Sequence, residues 1–275
     1  MLSRSCLLVA CILSSAQTCF ARCSLPATTV QRIESLRKAQ NSPIADFELG
    51  MAQVDTPSCL DAAAETFRIL SNTDNKKQKD LVTGMLAVAN ARKLIQSGDR
   101  QAAIRALVNA AGYQGFPVYL RAIRDLTLLL QVQPDAPEWQ FLSAQLEQLA
   151  ATEDVAGMAA ESVAQIAMHD IRMQHPDTGL TRMEKYLARP HSVQIRLSSS
   201  ILYLELLREA GYAANARILC RKLDNDVGNM ELDPSMRVRF LQVCSSVYMN
   251  SGDPQSQLRY ERFSAALARA RSELQ

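Results

Sequence analysis

The residue types that most often do chemistry in proteins are sparse in this chain and do not form a recognisable set. Its three histidines are His169, His175 and His191, and no two of them lie three or four residues apart. Two metal ligands on one helical face need that spacing, so we expect no metal site and no cofactor. The sequence also lacks the signatures of zinc proteases, serine hydrolases, phosphate-binding loops and dinucleotide-binding loops, and we assign no catalytic residue.

One segment, Asp224–Gly228, carries the alternating acids of a calcium-binding loop. Counted from Asp224 as the first position, its glycine comes one position too early. The twelfth position, where a calcium loop needs a glutamate, is Ser235. We therefore predict that this segment is a polar turn between helices.

The first 21 residues have the composition of an export signal. Arg4 is their only charged residue, and Cys6–Leu13 is an apolar run of signal-peptide length that is too short to cross a bilayer. Cys19–Ala21 offers a small-x-small cleavage site, and Ser14–Ala16 offers another. Two other interpretations stay open, namely a buried N-terminal helix and a lipoprotein cleavage box that ends at Cys11.

Cleavage after Ala21 would leave four cysteines, Cys23, Cys59, Cys220 and Cys244. An even number in an exported protein suggests disulfides, and proximity favours Cys23–Cys59 and Cys220–Cys244 among the three possible pairings. We expect the first pair because Cys23 lies close to a new chain terminus. The second pair is less favoured, since a helical register in which the two cysteines differ in height by ~7 Å would consume the whole distance that a disulfide allows. Two buried free thiols are the alternative.

The elements that position these residues are predicted to be helices throughout. Apolar residues such as Leu81, Met85 and Val88 recur at helical spacing, and no stretch alternates with the period of a strand. Cap and proline signals divide the chain into about a dozen helices joined by short turns. We therefore expect an all-α protein with a signal peptide at residues 1–21, an N-terminal helical segment at residues 22–75 and a helical-repeat domain at residues 76–275.

Three predicted helical hairpins can be aligned on a glycine in their turns. In two of them a small residue follows the glycine after five positions, where it would let two helices approach closely. The aligned pairs are Gly98 with Ala103, Gly211 with Ala216, and Gly252, which is followed by Gln257 instead of a small residue. This pattern resembles the tetratricopeptide repeat over about a third of the chain, although the 41 residues from Gly211 to Gly252 exceed the usual unit of that family.

The resemblance implies a fold and a function. Antiparallel helix pairs would stack as a tetratricopeptide-like solenoid, and the concave surface of the solenoid would bind proteins or peptides. The alternative fold is a non-repetitive helical bundle. A net charge of +2, from 30 basic and 28 acidic residues, gives no reason to expect nucleic acid as a partner.

We therefore expect an exported, non-enzymatic helical-repeat protein that acts in an envelope or extracellular assembly. Its location would be the periplasm or the outside of the cell, and no apolar stretch after the predicted signal reaches transmembrane length. Two alternatives stay open: an exported all-helical hydrolase or lyase that acts on cell-wall or polysaccharide substrates, and a mainly structural envelope component.

Overall fold

The structure, a computed structural model, describes residues 23–39, 42–72, 75–113, 115–152, 157–228, 233–249 and 253–273. The predicted signal peptide and the turn glycine Gly252 lie outside these ranges. Within them the chain forms thirteen α-helices and one short 3₁₀-helix, and no strand. The predicted all-α fold is confirmed.

The helices follow one another with short connections. In chain order they are α1 (Ala27–Lys38), α2 (Ser42–Val54), the 3₁₀-helix (Pro57–Cys59), α3 (Leu60–Leu70), α4 (Lys76–Gln96), α5 (Arg100–Ala111), α6 (Phe116–Leu130), α7 (Glu138–Ala150), α8 (Met158–Arg172), α9 (Pro176–Leu187), α10 (Val193–Glu209), α11 (Ala213–Gly228), α12 (Pro234–Tyr248) and α13 (Pro254–Ser272). None of these helices combines the length and the apolar character that a membrane crossing requires.

Contacts divide the chain into unit 1 (Met1–Leu129) and unit 2 (Leu130–Gln275). In unit 1, helices α1 to α5 each pack on the next, and α2 also touches α4. In unit 2, helices α7 to α13 each pack on the next, α8 also touches α10, and α10 also touches α12. We call the even-numbered helices the first helices. Consecutive helices thus pack in neighbouring pairs, as in a helical repeat. The domain division expected near residue 75 stays a prediction.

Three hairpin turns share one pattern of backbone hydrogen bonds. In each, the turn residue donates to the carbonyl three residues earlier and the next residue donates to the carbonyl five residues earlier, which is a Schellman motif. In the first turn, Gly98 donates to Ile95 (3.1 Å) and Asp99 to Leu94 (3.0 Å). In the second, Gln174 donates to Ile171 (3.0 Å) and His175 to Asp170 (2.9 Å). In the third, Gly211 donates to Arg208 (3.1 Å) and Tyr212 to Leu207 (2.9 Å). The motif needs a left-handed residue, and φ is +84° at Gly98, +67° at Gln174 and +81° at Gly211.

The hairpin at Gln174 has no turn glycine to mark it in the sequence, because a glutamine occupies the left-handed position. The position five residues later is nevertheless small, as it is in the other two hairpins. Ala103 and Ala216 are fully buried, and the corresponding residue here is Gly179. A Cβ on Gly179 would lie 2.5 Å from the carbonyl oxygen of Ala167, so α8 and α9 approach too closely for any larger residue.

Both expected cysteine pairs lie at disulfide distance. Cys23 and Cys59 have sulfurs 2.06 Å apart and Cα atoms 4.7 Å apart. Cys220 and Cys244 have sulfurs 2.20 Å apart and Cα atoms 5.8 Å apart. The height difference expected for the second pair was wrong, because α11 continues to Gly228. Cys220 lies eight residues before the end of α11 and Cys244 ten residues after the start of α12, and this difference of two residues corresponds to ~3 Å.

The single tryptophan, Trp139, is part of the interior of unit 2. Its side chain is only 4% exposed. Its indole Nε1 donates to the carbonyl oxygen of Leu130 at 3.0 Å, and its ring stacks on the ring of His169 with centroids 4.1 Å apart. The indole N–H is therefore hydrogen-bonded while the apolar surface of the ring is buried, as expected for a tryptophan in a core.

Candidate binding groove

Two of the three histidines pack against aromatic rings, and His175 is exposed at the N-cap of α9. His169 lies against Trp139, and its Nε2 is 2.8 Å from the carbonyl oxygen of Pro134. His191 stacks on the Tyr186 ring, with its Nε2 2.8 Å from the Tyr186 carbonyl oxygen. Throughout the described ranges, no three His, Cys, Asp or Glu side chains are grouped so that they could hold a metal ion.

The acidic segment that begins at Asp224 is helical, so the predicted inter-helix turn was wrong. Residues 224–228 form the last part of α11. Val227 packs against the apolar core of unit 2, and this contact accounts for the continuation of the helix past the acids. The carboxylate of Asp224 pairs with the guanidinium of Arg262 on α13. The segment thus lacks the loop conformation of a calcium site, and its first carboxylate, Asp224, is already paired.

Unit 1 carries a groove of about 430 Å³ on its first helices, which we call the first-helix groove. It is lined by the carboxyl-terminal parts of α2, α4 and α6 and by the start of α3. Leu60 and Leu129 are buried beneath it, whereas Ile95 on α4 is 36% exposed and Leu128 on α6 is 57% exposed. The groove therefore presents apolar side chains to solvent above an apolar floor.

Asp55, Arg92 and Asp125 line one side of this groove and, with Arg121, form a cluster of four charged residues. Arg92 on α4 holds Asp125 on α6 with two hydrogen bonds, from Nε at 2.6 Å and from Nη2 at 3.1 Å. Its Nη1 donates to Asp55 at 2.9 Å, just after the end of α2. Arg121 on α6 donates to the other oxygen of Asp55 at 2.5 Å. The cluster thus ties together three consecutive first helices.

The contacts within the cluster favour the charged forms of Asp55 and Arg92. Burial alone would raise the pKa of Asp55, but the hydrogen bonds from Arg121 and Arg92 outweigh this effect, and the pKa is lowered. Burial likewise opposes the charge of Arg92, yet Asp125 and Asp55 raise its pKa. Two positive and two negative charges cancel within the cluster.

This arrangement is poorly suited to acid–base catalysis. A glycoside hydrolase needs one carboxylic acid that is protonated near neutral pH, which requires a raised pKa. Asp55 has the opposite shift, and both of its oxygens accept hydrogen bonds from arginine. Both oxygens of Asp125 are likewise held by Arg92. The cluster positions helices, and the lowered pKa of Asp55 is the opposite of what a proton donor needs.

Asp55 also borders a second cavity of unit 1, of about 410 Å³. Ile33 on α1 and Phe47 and Met51 on α2 supply apolar surface to it, and Arg121 lines it together with Asp55. The ion cluster therefore lies between two apolar depressions on the same unit.

In unit 2 a comparable ion network crosses the first helices. Arg239 on α12 makes two hydrogen bonds to Glu205 on α10, at 2.5 and 2.6 Å, and reaches Glu161 on α8 at 3.0 Å. Gln165 donates to Glu161 at 3.0 Å. The pKa of Arg239 is raised, because its pairing with the two glutamates outweighs the opposing effect of burial. Charged residues thus bridge successive first helices in each unit.

Unit 2 also has a more polar groove of about 610 Å³ that follows α9. Lys185 and Tyr186 line it together with Arg182, whose guanidinium is paired with Glu147 at 2.7 Å and with Asp170 at 3.3 Å. This groove lacks the exposed aliphatic side chains of the first-helix groove.

The residues that the sequence singled out do not line the first-helix groove. Gly98 and Gly211 form turns, Ala103 and Ala216 lie in the interior, and Cys220 and Cys244 are fully buried. The groove residues Asp55, Arg92 and Asp125 were not anticipated. One signal existed, because Asp125 is an acid within the apolar stretch from Ala122 to Leu130, and a buried acid requires a partner.

Comparison with known proteins finds no relative of this chain. The chain matches no family model, no curated protein and no solved structure. A functional assignment therefore depends on the first-helix groove and on the architecture that holds it.

Proposed function

We propose that this chain is an exported, tetratricopeptide-like helical-repeat protein that binds a protein or peptide segment in the first-helix groove. The periplasm or the outside of the cell is the proposed location. The observation that carries the proposal is the exposure of Ile95 and Leu128 together in one groove, on neighbouring first helices.

The groove has the properties of a preformed binding site. Its apolar side chains would gain free energy on burial, at roughly 25 cal/mol for each Å² removed from water. The hydrogen bonds of Arg92 to Asp55 and Asp125 fix the three helices that line it. A site that needs no rearrangement loses less entropy on binding, which favours recognition of a flexible peptide.

The export part of the proposal draws on the cysteines. Cys23–Cys59 and Cys220–Cys244 both lie at disulfide distance, which fits an oxidising location outside the cytosol. The apolar run Cys6–Leu13 in the sequence is the proposed signal for export.

The binding proposal can be tested with a displayed library of random peptides. The oxidised chain, immobilised, is expected to enrich peptides that contain an aliphatic or aromatic residue. Leu128→Glu would place a charge in the groove and is expected to abolish the enrichment. Leu258→Glu is the matched control, because Leu258 is 68% exposed on α13, far along the chain in unit 2.

Circular dichroism would first establish that both variants are folded. If the chain enriches no peptides, or if the Leu128→Glu variant enriches the same peptides as the Leu258→Glu variant, the first-helix groove is not the binding site.

A further inference from the structure

We infer that the segment recognised by the first-helix groove carries an acidic side chain two residues from its apolar anchor, and that this acid pairs with Arg124. The inference rests on the proposed function, because it names the chemistry of the partner at the same groove. It draws on a side chain outside the ion cluster.

Arg124 is the uncompensated charge of the groove. It is an exposed residue of α6 that lines the groove together with Leu128. The nearby acids Asp55 and Asp125 are held by Arg92 and Arg121, so their charges are already balanced. For Arg124 itself, the structure shows no hydrogen bond or ion pair to any part of the chain that it describes. A partner that supplies a carboxylate would complete the charge balance of the site.

The position of Arg124 beside the apolar surface sets a spacing for the partner. Arg124 and Leu128 lie four residues apart on one helix, which places them on the same face with a rise of ~6 Å between them. In an extended peptide, side chains that point in the same direction are two residues apart, or ~6.6 Å. In an extended peptide that runs along α6, an apolar residue seated against Ile95 and Leu128 would therefore bring a residue two positions away to Arg124.

The fixed neighbours of Arg124 strengthen the expected selectivity. A partner with a basic residue at that position would meet Arg124 with like charge, and the acids beside it are already engaged with Arg92. Selectivity between an acid and a base at one position would then come from attraction and repulsion at a single side chain.

The test repeats the peptide selection with charge-reversed variants. The unaltered chain is expected to select peptides with Asp or Glu two positions from the apolar residue. Arg124→Glu is expected to replace that preference with Lys or Arg at the same position. Arg105→Glu is the control, because Arg105 is also exposed and lies on α5 without lining the groove. It should leave the preference unchanged.

A binding measurement gives a second readout with a purified peptide. Replacing the acid of a selected peptide by its amide should weaken binding to the unaltered chain about 5-fold, as expected for one partly exposed ion pair. The same replacement should not weaken binding to the Arg124→Glu variant. Added salt should reduce the difference between the two peptides on the unaltered chain.

The two proposals fail in different ways. Selection of apolar peptides with no preference for an acid, or an unchanged preference in the Arg124→Glu variant, would overturn the role of Arg124 and leave the groove as the binding site. Loss of all peptide selection would instead contradict the proposed function on which the inference rests.

Discussion

At the scale of single residues, Arg92 makes the contacts that define the first-helix groove. Its guanidinium uses three nitrogen atoms to hold Asp125 and Asp55, and it also donates to the carbonyl oxygen of Val54 at 2.7 Å. The Arg92 and Asp125 side chains are 16% and 9% exposed, so water screens their pairing only weakly. A planar guanidinium is suited to such bidentate contacts, and lysine could not reproduce them.

Replacing Arg92 should therefore destabilise unit 1 strongly. Arg92→Met would leave Asp125 buried without a partner, and we expect a loss of about 3 kcal/mol in the free energy of unfolding, measured by urea denaturation. The double variant Arg92→Met with Asp125→Leu removes both charges and should recover most of that loss. A double variant as unstable as Arg92→Met alone would contradict this account, because the cost would then not come from the unpaired acid.

The lowered pKa of Asp55 predicts how the stability of the fold depends on pH. A carboxyl group whose pKa is lower in the folded chain stabilises the fold at pH values above its unfolded pKa, which is about 3.8. That stabilisation disappears as the pH falls through the folded pKa. Below about pH 4, thermal stability should thus fall less steeply in Asp55→Asn than in the unaltered chain. Equal slopes in calorimetry over that range would show that Asp55 contributes no such linkage.

The sequence shows which residues could form these pairs but does not show which pairs form. Arg92 and Asp125 are 33 positions apart, and only the packing of α4 on its neighbours brings them together. The cysteine pairs were easier to predict, because four cysteines allow few combinations. For arginines and acids the number of possible pairs is large, so the site required the three-dimensional structure.

At the scale of elements, the repeated unit is a turn made of backbone hydrogen bonds. Gly98, Gln174 and Gly211 hold the same left-handed position in three hairpins. Helix periodicity and cap residues were sufficient to predict most helices, since both signals are local. The end of α11 was misplaced because the contact of Val227 with the core outweighs the turn preference of the preceding acids.

The turn at Gln174 offers a direct test of the shared motif. A residue with a Cβ is strained at φ +67°, so Gln174→Gly should raise the free energy of unfolding by about 0.5–1 kcal/mol. The control is Gln148→Gly, at an exposed position within α7, where the same change should cost about 1 kcal/mol of helix propensity. Chemical denaturation would measure the change in the free energy of unfolding in each variant. Destabilisation in both would refute the equivalence of the turns.

At the scale of the whole molecule, two cysteine pairs at disulfide distance close loops in a chain whose described ranges are mainly helical. Cys23–Cys59 spans 36 residues in unit 1, and Cys220–Cys244 spans 24 residues in unit 2. Closing a loop of this size reduces the entropy of the unfolded chain, which stabilises the folded one. The helices alone bury the core, and the links add to a fold that local signals already specify.

Each disulfide should thus contribute separately to stability. Replacing Cys220 and Cys244 by serine, or Cys23 and Cys59 by serine, should lower the free energy of unfolding by about 2–4 kcal/mol in each case. Peptide mapping of the chain without reduction should recover both linked pairs. Recovery of free thiols at Cys220 and Cys244 in that experiment would return the second pair to the alternative of two buried cysteines.

The burial of Trp139 provides an optical probe confined to part of the chain. Because the chain has one tryptophan, its fluorescence emission reports on the surroundings of a single side chain, which is stacked on His169 within unit 2. Far-ultraviolet circular dichroism instead sums the helices of both units. Recording both signals during one denaturant titration would reveal whether unit 1 and unit 2 melt in a single cooperative step or one after the other.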